Sequence, residues 1–173
     1  MTKRTGAVKF KDQTLTLVGP QLKPGDAAPD FACATGPFEV VTLAKTPTKA
    51  RLFSVVPSLD TPVCSQETKR FEESIGGLKD KAACYVISLD MPFAQKRFCT
   101  AEKVNNMQTL SDVHNHSFGQ AYGVLIEGLP LPLLSRAVFV VDKNGTITYA
   151  EYVPEVTSHP NYDQAAAALK SAL

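Results

Sequence analysis

The chain has 173 residues, a length typical of one domain, so we expect residues 1–173 to form a single unit around one core. Its 18 basic and 17 acidic side chains nearly cancel, and no basic run extends beyond Lys3-Arg4, which argues against nucleic acid or an anionic membrane as a partner. The N-terminal residues lack the apolar stretch of a secretory signal, and no segment is apolar over a bilayer-spanning length, so we expect a cytoplasmic protein.

Cysteine and histidine usage indicates free thiols and no metal site. The four cysteines, Cys33, Cys64, Cys84 and Cys99, are too few and too widely spaced for a disulfide scaffold. No C-x-x-C pair is present, and the three histidines do not have the spacing of zinc ligands. We therefore expect thiols in a reducing compartment and no metal site.

The N-terminal part of the chain predicts two short strand pairs. Alternating apolar residues within residues 1–20 predict a β-hairpin that turns at Lys11-Asp12, and we expect it to be a solvent-facing addition. A turn-rich linker follows. A second strand pair is then predicted near Phe31–Ala34 and Phe38–Leu43, broken at Gly36-Pro37.

Two units of strand followed by helix come next. The apolar run Leu52–Val56 predicts a buried strand, and the helix that follows it is expected to stop near Gly76-Gly77. A second apolar run, Cys84–Leu89, precedes a helix that Asp90 is expected to cap and that carries Cys99.

The remaining elements complete an α/β pattern. They are a short strand at Thr109–Leu110, a short helix at His114–Tyr122, a hairpin of Ala137–Val141 with Thr146–Val153, and a last helix at Tyr162–Leu173. Alternating strand and helix units followed by a hairpin and a helix predict a central mixed sheet with helices on both faces. This is the plan of the thioredoxin-like fold.

Cys64 lies where a helix is expected to begin, after the loop that follows the strand Leu52–Val56. A thiol in the first turn of a helix is close to unpaired N–H groups and the positive end of the helix dipole, which favour the thiolate. Pro57 and Pro62 restrict the loop, and the Thr61 hydroxyl can turn toward the sulfur or a bound oxygen. The alternative is that Cys64 is a small buried apolar residue, as most free cysteines are.

Two nucleophilic chemistries fit a reactive Cys64. Cys64 and Arg70 have the C-x5-R spacing of a cysteine phosphatase, but the segment has no glycine, places Glu67 beside the anion, and puts Arg70 almost two helical turns away. The second chemistry is attack on a peroxide, which needs a cation near the sulfur. Arg136, before an apolar strand, is the candidate, although a strand-edge arginine is more often a surface charge.

Several motifs resemble those of one known family. Pro57, Thr61 and Cys64 form P-x3-T-x2-C, which resembles the active-site signature of the peroxiredoxins. The stretches Met91–Cys99, Phe118–Val124, Ser135–Val138 and the lead-in Gly25–Phe31 look like the thiol peroxidase subfamily, the atypical two-cysteine peroxiredoxins. The resemblance extends from the N-terminal hairpin to the last helix.

This resemblance implies a role for each site residue. Cys64 becomes the peroxidatic cysteine, Thr61 its hydrogen-bonding partner, Pro57 the shield against water and Arg136 the active-site cation. Cys99 becomes the resolving cysteine, which forms an intramolecular disulfide with Cys64 that thioredoxin reduces. The family also implies hydroperoxide substrates, a role in antioxidant defence, a homodimer and no requirement for a metal, haem or flavin.

The residues themselves leave alternatives open. A cysteine beside Phe98 on a helix is more often part of the core, and a disulfide requires Cα atoms within about 7 Å, so we expect local unwinding around Cys64 and Cys99. A one-cysteine peroxidase and a redox-responsive interaction protein remain alternatives. Cys33 and Cys84 are expected to be inert core thiols. The leucines before Arg136 are candidate contacts for an alkyl hydroperoxide, namely Leu129, Leu131 and Leu133.

Overall fold

The computed structural model describes residues 1–173 and contains eleven β-strands and four α-helices. The strands are β1 (Lys3–Phe10), β2 (Gln13–Val18), β3 (Ala32–Gly36), β4 (Glu39–Thr42), β5 (Ala50–Val55), β6 (Ala82–Ser88), β7 (Gln108–Ser111), β8 (Leu125–Glu127), β9 (Leu133–Leu134), β10 (Ala137–Val141) and β11 (Ile147–Tyr152). The helices are α1 (Pro62–Ser74), α2 (Pro92–Glu102), α3 (Ser117–Ala121) and α4 (Tyr162–Ser171). Short 3₁₀ turns follow β4 and α1, at Leu43–Lys45 and Gly76–Leu78.

The larger of two sheets has seven strands in the order β11-β10-β5-β6-β7-β3-β4. β5 pairs in parallel with β6, and β6 pairs in parallel with β7, because a helical crossover connects each pair. The other pairs in this sheet are antiparallel. Every residue of β5 and β10 is buried, as their apolar sequences predict. The predicted central mixed sheet is confirmed.

Helices pack against both faces of this sheet. Leu52 and Phe53 are neighbours in β5 and therefore point to opposite faces. Leu52 belongs to a buried cluster with Phe71 of α1 and Leu169 of α4. Phe53 belongs to a second cluster that contains Phe118 of α3. The helix α1, which carries Cys64, thus lies on the same face as α4.

The N-terminal hairpin is present, but its description as a solvent-facing addition is wrong. β1 and β2 belong to a second sheet in the order β1-β2-β8-β9. Val8 and Leu17 of the hairpin are buried, and they pack with Ile126 of β8 and Val156. The hairpin therefore contributes to a small core of its own and brings Phe10 near the segment before Arg136.

The chain after the hairpin passes tightly against the end of α3. Gly123 has a φ of +67°, and a Cβ atom there would overlap the carbonyl oxygen of Pro20. Both the backbone conformation and the close approach require glycine at this position.

The third helix begins later than predicted, at Ser117 instead of His114. His116 has a left-handed backbone with a φ of 55°, which interrupts a helix before this point. The Asp112 carboxylate then accepts hydrogen bonds from the N–H groups of Phe118 and Gly119.

Asp90 does not cap α2, so that prediction is wrong. Met91 occupies the N-cap position without a side-chain bond, and the Asp90 carboxylate points instead to the loop before α1. None of the helices has the length and apolar character that crossing a membrane requires.

Candidate active site

Cys64 is the third residue of α1, and its side chain is fully buried. Thr61 has an extended backbone at the N-cap position, and Pro62 occupies the first helical position, where a missing N–H group costs nothing. The helix therefore starts as predicted, and the thiol lies in its first turn. The sulfur faces the core cluster shared by the sheet, α1 and α4.

Arg136 lies beside this sulfur rather than on the surface. Only 2% of its side chain is exposed, and its Nη2 atom is 3.3 Å from the Sγ atom of Cys64. Its Nε and Nη2 atoms donate to the carbonyl oxygen of Val156 at 3.1 and 2.9 Å. The backbone of Val156 thus fixes the guanidinium in place, and the interpretation of Arg136 as a surface charge is wrong.

Glu67 completes a buried ionic cluster that the sequence analysis did not assign to the site. Its Oε2 atom is 2.5 Å from Nη1 of Arg136, and its Oε1 atom accepts a hydrogen bond of 2.7 Å from the Ser54 hydroxyl. Burial raises the pKa of Glu67 to about 7, although Arg136 and Ser54 both favour the carboxylate. Its position one helical turn after Cys64 is the signal that identifies it.

The charge of Arg136 is stabilised by both of its acidic neighbours. Burial disfavours the cation, but the Glu67 carboxylate and the Cys64 sulfur outweigh this effect and raise the pKa of Arg136. The Arg136 guanidinium therefore contacts a carboxylate and a sulfur at the same time. An arginine held between them can stabilise negative charge that develops at this site, because an opposite charge this close is only weakly screened in a buried site.

Pro57 and Thr61 line a cavity of about 320 Å³ beside Arg136. The Thr61 hydroxyl donates a hydrogen bond of 3.0 Å to the carbonyl oxygen of Ser58, so the predicted contact with the sulfur is not formed. Phe10 and Leu133 also line this cavity and continue into a second one of about 550 Å³, whose walls include Leu129 and Leu131. An apolar path therefore leads from the hairpin to the arginine.

Cys99 lies on α2, partly exposed, and packs against the same core cluster as Cys64. Burial raises the pKa of the Cys99 thiol, and the charge of Glu72 adds to this effect. Both cysteines are free in the structure. Each is held in a separate helix, so the structure places them in one region of the core without joining them.

The helices α1 and α2 are also tied together by polar contacts. The Glu72 carboxylate, near the end of α1, accepts N–H bonds from Asn106 and Met107 in the segment after α2, at 2.8 and 3.1 Å. Lys69 of α1 forms an ion pair of 2.5 Å with Glu102 of α2. The C-terminal parts of the two helices are therefore held to each other.

The other two cysteines lie in different parts of the core: Cys33 belongs to the cluster on the opposite face of the sheet, and Cys84 shares the cluster of Cys64. Burial raises the pKa of Cys84 to about 12. Burial and the neighbouring carboxylate of Asp112 raise the pKa of Cys33 even further. Both thiols are therefore protonated at neutral pH, which makes them poor nucleophiles.

Two other kinds of site can be compared with the geometry, a phosphate site formed by Cys64 and Arg70 and a metal site. The Arg70 guanidinium lies over the ring of Tyr162, 4.4 Å from its centroid, so it does not form a phosphate site with Cys64. No group of three or more histidine, cysteine, aspartate or glutamate side chains is placed to hold a metal ion.

A thiol at the start of a helix, after a central strand of a mixed sheet and against a buried arginine, defines a thiol-based redox protein. The sequence pattern of the Redoxin family matches residues 23–166. Thiol peroxidase from Bacillus subtilis is 47% identical over 95% of this chain and 96% of its own length. Thiol peroxidase from Listeria innocua is 49% identical over 95% of this chain and 98% of its own.

A solved structure gives the same result. The crystal structure of a peroxiredoxin-like protein from Aquifex aeolicus matches with a TM-score of 0.89 and 41% identity, covering 98% of each chain. The chain belongs to the Redoxin family, and within that family to the peroxiredoxins of the thiol peroxidase type. The resemblance inferred from the sequence and the thioredoxin-like fold are both confirmed.

Proposed function

We propose that the protein reduces hydrogen peroxide and organic hydroperoxides, with Cys64 as the nucleophile. Thiol-dependent peroxide reduction is the activity that the family supports. The observation that carries the assignment to Cys64 is the Arg136 guanidinium, 3.3 Å from its sulfur in a buried site next to a cavity. Neither Cys33 nor Cys84 has a cation placed in this way.

In the first step, the Cys64 thiolate attacks the terminal oxygen of ROOH. A sulfur–oxygen bond forms while the oxygen–oxygen bond breaks, and the leaving RO⁻ takes up a proton to become an alcohol or water. Sulfur is oxidised by two electrons to the sulfenic acid, and the peroxide is reduced by the same two. Arg136 stabilises the negative charge that moves from sulfur to oxygen.

Thr61 and Pro57 assist this step from the cavity wall. Thr61 lines the cavity, and a rotation of its side chain takes the hydroxyl from the Ser58 carbonyl oxygen to an oxygen of bound peroxide. Pro57 covers the loop side of the site and limits the access of water. The apolar lining of this cavity and its neighbour favours substrates with an alkyl or aryl group on the peroxide.

In the second step, the Cys99 thiol attacks the sulfenic sulfur of Cys64. A disulfide forms, and the hydroxyl group leaves as water. Because the cysteines lie in separate helices, the turns that carry them must unwind locally before the sulfurs meet. Thioredoxin then reduces the disulfide by thiol–disulfide exchange, which restores both thiols.

We further propose that residues 1–173 act as one domain within a cytoplasmic homodimer. The exposed apolar side chains at the start of α2 support an association of two copies, because Phe93 is 63% exposed and Met91 is 51% exposed. An analytical ultracentrifugation run on the reduced protein tests this assembly.

The cycle is tested with one equivalent of cumene hydroperoxide added to the fully reduced protein. The sample is quenched with an alkylating agent, and its cysteines are mapped by non-reducing mass spectrometry. We expect a Cys64–Cys99 crosslink within one chain, with Cys33 and Cys84 alkylated. The Cys84→Ser variant is the matched control and should give the same crosslink.

Other outcomes of this experiment assign the alternatives. If Cys64 becomes a sulfenic or sulfinic acid while Cys99 is alkylated, the protein is a one-cysteine peroxidase. If the crosslink forms but a thioredoxin system gives no turnover, the protein is a redox-responsive interaction protein. An unmodified Cys64 would contradict the peroxidase proposal as a whole.

A further inference from the structure

The Asp90 carboxylate connects the loop before Cys64 to the segment that leads into the Cys99 helix. Asp90 lies between β6 and α2, yet its Oδ1 atom accepts a hydrogen bond of 2.8 Å from the Ser58 hydroxyl. Its Oδ2 atom accepts one of 2.9 Å from the Leu59 N–H group. These two bonds hold the loop that enters α1, and they come from the other strand–helix unit.

A short network extends this connection into α2. The Ser88 hydroxyl donates to Oδ2 of Asp90 at 2.7 Å and accepts a bond of 3.1 Å from the Gln95 side-chain amide. Gln95 lies one turn before Cys99 on the same helix. The Oε1 atom of Gln95 is buried without a partner, so the folded form of this turn contains an unsatisfied acceptor.

We propose that Asp90 is a positioning residue that holds the Cys64 loop and the Cys99 helix together in the arrangement that reacts with peroxide. The inference depends on the proposed roles of Cys64 and Cys99. Unwinding the first turn of α1 moves Ser58 and Leu59 and therefore breaks the bonds to Asp90. The same carboxylate then no longer holds the start of α2 to the loop, so the release of one cysteine favours the release of the other.

This coupling sets the outcome of a competition at the sulfenic acid. In one branch, Cys99 attacks the sulfenic sulfur, and the disulfide forms with loss of water. In the other, a second ROOH transfers an oxygen atom to the sulfenate, which becomes sulfinate while ROOH is reduced to ROH. The first branch needs the loop open and the second needs it folded, so Asp90 favours the second.

The test is a single-turnover titration of reduced protein with cumene hydroperoxide in the absence of reductant. Mass spectrometry gives the peroxide concentration at which disulfide and sulfinic acid are formed in equal amounts, which is the ratio of the two rate constants. Asp90→Asn should raise this midpoint about tenfold, because bonds to an ionised carboxylate are replaced by weaker ones. Ser58→Ala removes one bond and should raise it about threefold.

Asp112→Asn is the matched control. Asp112 is also a carboxylate that accepts two N–H bonds, from Phe118 and Gly119, but its bonds hold α3 and neither cysteine helix. Its variant should lose stability and leave the midpoint unchanged. The double variant of Asp90→Asn with Ser58→Ala should raise the midpoint by less than the product of the two single effects, because both changes weaken the same bond.

The outcomes separate this inference from the proposed function. If the wild type forms no disulfide at any peroxide concentration, the two-cysteine cycle is wrong. If the wild type forms the disulfide but Asp90→Asn has the midpoint of the Asp112→Asn control, or a lower one, the role of Asp90 is overturned. Should Asp90→Asn not fold, an unchanged midpoint in Ser58→Ala overturns it equally.

Discussion

Replacing Glu67 with glutamine should remove a large part of the pH dependence of folding stability between pH 4.5 and 7. Burial raises the pKa of Glu67 from 4.5 to about 7 in the folded protein. Between these values the folded state keeps a proton that the unfolded state has lost. The contribution of this carboxyl to stability is therefore complete below pH 4.5 and is lost as the pH rises through 7.

The size of the effect follows from the same shift. A pKa difference of this size corresponds to about 3 kcal/mol in the free energy of unfolding. The wild type should lose about this amount, relative to Glu67→Gln, as the pH rises from 4.5 to 7.5. Glutamine leaves Arg136 without its ionic partner. This changes the free energy of unfolding by an amount that does not vary with pH in this range, because arginine stays charged throughout.

Urea unfolding of the reduced wild type and Glu67→Gln at five pH values between 4.5 and 8 measures this difference. Glu73→Gln, an exposed carboxylate on the same helix, controls for the loss of one acidic group. Equal slopes for the wild type and Glu67→Gln would refute the reasoning. So would a wild type that gains stability relative to Glu67→Gln as the pH rises.

Three further changes test other parts of the site and fold. Arg136→Lys should lower the rate constant of Cys64 oxidation by about 100-fold in stopped-flow assays. The reason is that lysine cannot bond Glu67, Val156 and the sulfur together. An unchanged rate constant would mean that Arg136 is not part of the active site. Phe10→Ala should lower kcat/KM for cumene hydroperoxide several-fold more than for hydrogen peroxide, whereas an equal loss for both would exclude the apolar path as a substrate contact. Gly123→Ala should lower the free energy of unfolding by about 3 kcal/mol, whereas Gly145→Ala, also at positive φ but with open space around it, should cost about 1 kcal/mol. Equal losses for the two glycine variants would mean that the close approach to Pro20 is unimportant.

The middle of the central sheet could be predicted from the sequence because its strands β5, β6 and β10 are largely apolar. The runs that became β5, β6 and β10 are buried on both faces, so almost every residue carries the signal. The strands β8 and β9 were missed for the opposite reason. They have three and two residues, which is too short for any periodicity, and they are strands only because β8 pairs with β2 of the hairpin and β9 pairs with β8.

The site was predictable only in part. Cys64 could be placed by the residues around it, since Thr61 and Pro62 mark the start of a helix. Arg136 could not be placed in the site from local sequence, because its burial depends on the Val156 carbonyl oxygen and on Glu67. No local sequence pattern predicts either contact. The resemblance to a family supplied that assignment.

The wrong prediction for Asp90 also results from a contact with a distant segment of the chain. Its position before a proline in the chain fits a helix cap, and the prediction failed because a distant loop offered the carboxylate better-placed donors. Local sequence reasoning cannot see such donors until the fold brings them together.

The bonds of Glu72 to the segment after α2 have a consequence for the kinetics of disulfide formation. They give the two reactive sulfurs a common anchor, so each sulfur moves on a short tether whose far end stays fixed. For groups on short flexible tethers the effective concentration is about 1 mM or more. The encounter of Cys64 and Cys99 should therefore depend on tether length and be independent of how much protein is present.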